Sequence, residues 1–327
     1  MSEGKKIVFL DAATDDMDRM LADHLPVGFD LVLAKADTEE KAIAAVADAD
    51  FVLIGWSYVP TKVVEAMGKA KLIQKIGEGT DRIDVKTALA RGIPVAKTSG
   101  TNSASVAELT TLLMLATLRW LPKAHNSMLA GQWLKSELRK GSFELRGKQV
   151  GIVGLGKIGK LVAGHMRAFG SPVVYYDVVR QSEEEEARLQ ARFMPLDDLL
   201  RTSDVVTLHV PLLPSTRGMI GARELAMMKP SAILVNTCRG AVVDEEALYD
   251  ALKNNRLRGA GLDAFTKEPL GANHPLLSLE NVVLAPHIGG GTEDADIAGI
   301  RHAYANIVKV SNGEPLDPAD LAPLPTP

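Results

Sequence analysis

Short, nearly continuous apolar runs alternate with stretches of helical spacing along most of this chain. In the first hundred residues the runs lie at 7–10, 30–34, 51–55, 72–76 and 94–96. Apolar runs of that length bounded by turn residues predict strands buried on both faces, as in a parallel sheet. Between them, residues 14–25 and 38–47 begin on threonines and repeat apolar positions every three or four residues, so they predict crossover helices. This half predicts an open α/β unit of flavodoxin-like type. From Gln149 the alternation resumes, with runs at 173–176, 205–210, 232–237, 259–263 and 282–285 that predict a second doubly wound parallel sheet. The two are separated by residues 106–121, whose apolar positions surround the helical axis. A helix apolar on all sides calls for burial on all sides, which predicts a domain junction and a subunit interface. Its start is expected at Asn102 or Ser105, the latter at capping-box spacing from Glu108. A last helix is expected over 295–310, before a proline-rich end.

One strand-to-helix junction carries more than pattern. Residues 149–159 read as a buried strand, a glycine turn and a helix start, with Gly154, Gly156 and Gly159 at GxGxxG spacing. In a dinucleotide site the first glycine permits the tight turn, the second lets backbone approach a pyrophosphate, and the third lets helix and strand close together. The free N–H groups of that helix start face the anion. Asp177 ends the next strand, 18 residues beyond Gly159, where a carboxylate would accept the ribose 2′-hydroxyl. A carboxylate there repels a 2′-phosphate, so NAD is expected over NADP, with Arg180 the one nearby residue that pulls the other way. The first half has no such glycine pattern and is not expected to hold the dinucleotide.

Composition narrows the partners. A chain of 327 residues exceeds the usual single domain and predicts two. With 46% hydrophobic and 24% charged residues it is an ordinary globular protein, not a disordered one. A net charge of −4 without a basic block argues against nucleic acid or an anionic membrane and for a small metabolite. The N-terminus runs into the first strand without a signal-peptide core, and no apolar run reaches spanning length, so a cytoplasmic protein is expected. Cys238 is the only cysteine, which leaves no intrachain disulfide and no cysteine zinc cluster. The acidic run Glu183–Glu186 reads as a solvated helix start.

Three later segments each place a functional side chain just past a predicted strand: Arg239 after 232–237, Glu268 in the loop that follows Asp263, and His287 after 282–285. Ligands of open α/β sheets bind beyond the carboxyl ends of the strands, so these loops are candidates together. A cation for a carboxylate, an imidazole for proton transfer and an acid beside it form a chemical set. Taken singly, each has a plain alternative: a surface ion pair, a turn residue before Pro269, a satisfied strand-end histidine.

With these segments, residues 75–84, 92–98, 102–108, 149–159 and 205–211, the chain resembles the D-isomer-specific 2-hydroxyacid dehydrogenases, which include phosphoglycerate dehydrogenases and glyoxylate/hydroxypyruvate reductases. The resemblance implies a discontinuous substrate domain, residues 1–101 with 290–327, around a Rossmann NAD-binding domain over 102–289, the two closing over the reactants. It implies a homodimer that interconverts a small 2-oxo acid and its D-2-hydroxy acid. His287 would be the acid/base on the C2 oxygen, with Glu268 bonded to it. Arg239 would hold the substrate carboxylate, and Asp263 would lie near the nicotinamide carboxamide. Lys157, Ile158, Pro211 and Thr237 join the glycines and Asp177 in the cofactor set. A carboxylate beside an imidazole favours its protonated form and keeps a proton ready for ketone reduction. Arg239 can hold a carboxylate in bidentate fashion, as a lysine cannot.

The loop Gly77-Glu78-Gly79 would offer backbone N–H groups to the substrate carboxylate. Glu78 departs from the small or apolar residue usual in the family, and an anion beside an anionic substrate is unfavourable. It is expected either to turn to solvent or pair with Lys75 or Arg82, or to read a donor group on an unusual substrate. Lys75 is expected to contact a distal phosphate or to be a strand-end surface lysine. Trp133 either limits the pocket or packs, and Cys238 is a small buried strand residue. Two other readings stand beside this one. A formate-dehydrogenase-like enzyme would carry glutamine in place of Glu268, and an NAD-sensing corepressor-like binding protein would need partner grooves. No serine-responsive regulatory domain is expected.

Overall fold

The computed structural model describes residues 4–322; the last part of the proline-rich end, 323–327, lies outside them. The chain divides into two compact units, one formed by residues up to Asn102 with those from Gly291 onward, the other by Ser103–Gly290.

In the first unit the strands are Lys5–Phe9 (β1), Phe29–Leu33 (β2), Phe51–Ile54 (β3), Ile73–Lys75 (β4) and Val95–Lys97 (β5). They pair in the order β2-β1-β3-β4-β5, all parallel, with Ile7 opposite Phe51 and Ile73 opposite Val95. This is the flavodoxin-like strand order. Alternate residues feed two separate cores: Ile7, Phe9, Phe51 and Leu53 on one face, Val8, Leu10, Val52 and Ile54 on the other. Double-sided burial explains why the sequence shows continuous apolar runs here and not alternation. Each such side chain contributes about 1.5–3 kcal/mol. The helix Glu293–Ser311, capped by Thr292, covers the first face with Ile300, Ala303, Tyr304 and Ile307, and the Tyr304 hydroxyl donates to Leu21 O at 2.9 Å. The segment beyond it returns to the sheet, where Leu321 bridges Ala96 and Ala322 N–H donates to Val95 O at 2.9 Å.

The second unit carries Val150–Val153 (β6), Val173–Tyr176 (β7), Ala191–Phe193 (β8), Val205–Leu208 (β9), Ile233–Asn236 (β10), Gly259–Leu262 (β11) and Val282–Leu284 (β12). Their order, β12-β11-β10-β9-β6-β7-β8, is all parallel and reverses direction between β6 and β9, the switch point where a doubly wound sheet opens its crevice. Val150 lies opposite both Val173 and Val205 there. Strand β8 has no counterpart in the sequence pattern: Ala191-Arg192-Phe193 is a three-residue edge strand with an exposed central residue, too short to make an apolar run.

The intervening helix is shorter than its apolar pattern suggests. It runs Ser103–Leu118, so Asn102 precedes it and Ser105 lies inside its first turn, not at its cap. It stops before Trp120, which adopts φ +55°, and Leu121–Leu129 continues at a 67° bend. The Trp120 indole donates to Gly141 O at 3.2 Å and stacks with Arg258, 5.0 Å from its ring centre, which holds the break. Val106, Ala107, Thr110, Leu113, Met114 and Thr117 are covered within the second unit, whereas Leu112 is 52% exposed. Among the described residues no single helix is long and apolar enough to cross a membrane.

Candidate active site

The glycine turn has the shape that its spacing suggests. Gly154 leaves β6 at φ +95°, a conformation open to glycine, and a Cβ there would lie 2.6 Å from His209 O. A Cβ on Gly159 would lie 2.3 Å from Gly154 O, so any side chain would force the helix Lys157–Ala168 off the strand. At Gly156, by contrast, a Cβ would meet nothing within 4 Å. The turn is thus closed where helix and strand meet and open at its rim, where Gly156, Lys157 and Ile158 begin the helix. These residues fit a pyrophosphate held by helix-start N–H groups.

Asp177, just past β7, accepts the Leu155 N–H at 2.8 Å, which brings its carboxylate against this turn. Arg180 is engaged elsewhere: its Nε and Nη2 reach the two oxygens of Glu186 at 2.8 and 3.0 Å. Arg180, with the Tyr175 hydroxyl, holds the Glu186 carboxyl down at about 2, so it is ionised at neutral pH. The acidic run, with Ser182 as its cap, therefore has a local task that its charge pattern did not show. Thr237 is nearly buried, its hydroxyl 2.8 Å from that of Thr110. Pro211 follows β9, with its carbonyl accepting the Thr216 hydroxyl at 2.6 Å. Burial pushes His209, between β9 and Pro211, down to about 3, so it is neutral and serves as a bonding partner to Thr207.

The three candidate chemical groups stand on loops after β10, β11 and β12, adjacent strands of one sheet. His287 Nδ1 lies 2.8 and 2.9 Å from the two oxygens of Glu268. A carboxylate accepts only, so at Nδ1 it assigns a proton to that nitrogen. The pair is half-withdrawn from solvent, with side chains 23% and 21% exposed. Glu268 is oriented in turn by the Phe265 N–H, which donates to it at 3.0 Å. His287 itself adopts φ +55°, a strained region for a residue with a Cβ, costing about 1–3 kcal/mol. Asp263 holds that geometry: its two oxygens accept the N–H groups of Ile288 and Gly289, both at 2.8 Å. Asp263 is buried, which pushes its carboxyl up, and the two N–H donors oppose the shift.

Arg239 is placed by neighbours that the sequence did not single out. Asn236 ends β10 and bonds both sides of the turn, its Nδ2 donating to Arg239 O at 2.9 Å and its Oδ1 accepting Cys238 N–H at 3.1 Å. The Cys238 thiol lies 3.1 Å from the same Oδ1, and burial pushes it up; Cys238 sits in this turn and not in the strand. Gly240 then packs on the next loop: a Cβ there would lie 1.9 Å from Phe265 C. Only glycine lets the Arg239 turn and the Glu268 loop touch. Gly240→Ala is expected to cost about 1–3 kcal/mol or more in stability and to lower kcat/KM through both loops, which a melting curve and steady-state kinetics would check.

On the first unit the loop after β4 departs from expectation. Gly77, at φ +104°, exchanges both of its backbone groups with Thr98: its N–H donates to Oγ1 at 2.6 Å and its carbonyl accepts the Thr98 N–H at 3.3 Å. Among the described residues nothing accepts the N–H of Glu78 or Gly79, so these two are what the loop presents. Glu78 takes partners other than Lys75 or Arg82 and keeps its side chain 32% exposed. It pairs with Lys97 at 2.7 Å and accepts from the Ser99 hydroxyl and the Gly100 N–H. Burial would raise this carboxyl, but Lys97 and the two further donors outweigh it and hold it below the usual glutamate value. Lys75 is not a surface lysine. It is 9% exposed, its ammonium donates to Ile76 O and lies 5.6 Å from the Trp56 ring centre. Trp133 is 74% exposed and packs against no core.

The profile of the D-isomer specific 2-hydroxyacid dehydrogenase NAD-binding domain matches residues 111–289. The chain belongs to this family. It is 41% identical over 261 residues to a glyoxylate reductase of Thermococcus litoralis, covering 78% of each protein. It is 39% identical over 310 residues to a D-3-phosphoglycerate dehydrogenase of Methanocaldococcus jannaschii, covering 94% of this chain but 58% of that protein. The structure of an NAD-dependent formate dehydrogenase from Staphylococcus aureus in complex with NAD superposes with a TM-score of 0.85 at 27% identity, covering 98% of this chain and all of the other. Membership makes the second unit the NAD-binding domain of a D-isomer specific 2-hydroxyacid dehydrogenase, and the two relatives are named as a dehydrogenase and a reductase.

Proposed function

We propose that the protein interconverts a small D-2-hydroxy acid and its 2-oxo acid, of the glyoxylate, hydroxypyruvate or phosphoglycerate type. One observation carries this reading: an imidazole bonded through Nδ1 to a carboxylate, on a loop neighbouring that of an arginine, at the carboxyl ends of a dinucleotide-binding sheet. His287 Nε2 exchanges a proton with the C2 oxygen, and Glu268 holds the ring and balances its charge when protonated. Arg239 binds the substrate carboxylate and draws electron density from the adjoining carbonyl. Asp263, expected beside the nicotinamide carboxamide, also anchors the loop that keeps His287 in place. The N–H groups of Glu78 and Gly79 are assigned to a substrate carboxylate, with Lys75 behind them. Gly154, Gly156, Lys157, Ile158 and Gly159 would hold the cofactor pyrophosphate, Asp177 a ribose, and Pro211 and Thr237 the parts beyond. Bound there, the nicotinamide supplies or accepts the hydride.

The direct test is NADH oxidation with glyoxylate, hydroxypyruvate, pyruvate and phosphohydroxypyruvate, with formate plus NAD alongside. Turnover of a 2-oxo acid supports the proposal; turnover of formate alone would replace it. Cofactor choice gives a further prediction. Asp177→Ala is expected to raise the NADPH-to-NADH ratio of kcat/KM about tenfold or more by removing a charge that repels a 2′-phosphate. An unchanged ratio would take the discriminating role from Asp177.

The protein is further assigned as a cytoplasmic homodimer. Support for association comes from the apolar side chains that the second unit leaves exposed, Leu112, Leu121, Met128, Leu129 and Trp133. Light scattering is expected to return twice the chain mass, and a monomeric mass would remove the assignment.

A further inference from the structure

Glu78 is the residue of the loop least suited to an anionic substrate, yet its carboxylate is the most fully engaged group in that loop. Its Oε1 accepts from the Ser99 hydroxyl at 3.0 Å and from the Gly100 N–H at 2.6 Å, while its Oε2 meets Lys97 Nζ at 2.7 Å. All three partners lie at or just past the end of β5, the strand beside β4. The turn that Glu78 grips is itself fixed: Gly100 adopts φ +87°, and the Ser99 N–H reaches the buried carboxylate of Asp320 at 3.3 Å. Asp320 in turn accepts from His302 at 2.6 Å and from Asn306 at 3.4 Å, both on the helix Glu293–Ser311. The loop is thus fastened at Gly77 through Thr98 and at Glu78 through Ser99 and Gly100. Its two open N–H groups, those of Glu78 and Gly79, follow directly on those fastenings.

We propose that Glu78 is a positioning residue: its carboxylate ties the Gly77–Gly79 backbone to the Ser99–Gly100 turn, and Lys97 cancels its charge so that the loop can receive a carboxylate. This deepens the reading of that loop given above and rests on it. The hydrogen bonds supply geometry, and the ion pair supplies neutrality. A glycine-flanked loop without such a tie has two residues free to take other backbone conformations, and its open N–H groups would converge on an anion only part of the time. An unpaired glutamate there would repel the same anion.

The two contributions separate by substitution. Glu78→Ala removes both, and the KM for the 2-oxo acid is expected to rise about ten- to hundredfold, as for loss of hydrogen bonds to a charged acceptor. The change should fall mainly on KM, with NADH affinity unaltered. Glu78→Gln with Lys97→Met keeps an oxygen for Ser99 and Gly100 while removing both charges, and is expected to recover most of that loss. Affinity for oxamate, a 2-oxo acid analogue, measured with NADH bound, gives a readout independent of turnover. It should weaken in Glu78→Ala and recover in the double variant. Equal oxamate affinity in the wild type and Glu78→Ala would overturn the positioning role. Failure of the double variant to recover, with its NADH affinity intact, would overturn the division between tie and charge. No oxamate binding by the wild type would overturn the reading of the loop itself, and this inference with it.

Discussion

His287→Asn is expected to lower kcat for 2-oxo acid reduction about 10²- to 10⁴-fold, the range that a positioned general acid supplies. Asparagine is the informative replacement because it tolerates the left-handed backbone at this position, where His287 has φ +55°. The loop should therefore keep its bonds from Ile288 and Gly289 to Asp263. NADH affinity should stay unchanged, since the glycine turn and Asp177 are untouched. A loss of rate matched by an equal loss of NADH affinity would show that the substitution had disturbed the loop and that His287 had not been isolated. Glu268→Gln provides the companion measurement. It keeps an oxygen near Nδ1 but removes the charge, and its rate should fall between those of the wild type and His287→Asn.

Arg239→Ala is expected to lower kcat/KM for the 2-oxo acid by the equivalent of about 2–5 kcal/mol, the usual cost of removing one member of a desolvated, hydrogen-bonded charge pair. Arg239→Lys should recover only part, because an ammonium cannot match a carboxylate at two points. Steady-state kinetics with a 2-oxo acid and with its corresponding aldehyde separate the roles. If Arg239 holds a carboxylate, the variants lose their preference for the acid over the aldehyde. If both substrates decline alike, the arginine serves the fold of its turn through the Cys238 carbonyl, to which it already donates at 2.8 Å.

Much of the fold was legible because parallel strands buried on both faces leave continuous apolar runs. Each of the eleven runs read from the sequence overlaps a strand, to within one or two residues at most ends. Strand β8 escaped because an edge strand of three residues needs little apolar sequence. The helix over 103–118 misled differently. Its composition gave no sign that Trp120 would end it with a left-handed residue, since that break is held by Gly141 and Arg258, both distant in sequence. The candidate site divides along the same line. Arg239, Glu268 and His287 could be found because chemistry gathers at strand ends. Asn236 and Gly240 could not, since bonding the Arg239 turn and packing on the Phe265 backbone show only once the loops are folded. Glu78 was noticed as an anomaly, but its partner Lys97 lies on the neighbouring strand, and only the pairing of β4 with β5 brings the two together.

The most direct test of the account offers the protein NAD and, separately, the two enantiomers of glycerate and of lactate, and follows NADH fluorescence. The arrangement assigned here fixes the carboxylate, the C2 oxygen and the hydride face of the substrate, so only one hand can react, and family membership makes it the D form. NADH formed from a D enantiomer and not from its L counterpart is the predicted result. NADH formed equally from both hands, or from the L form alone, would contradict it.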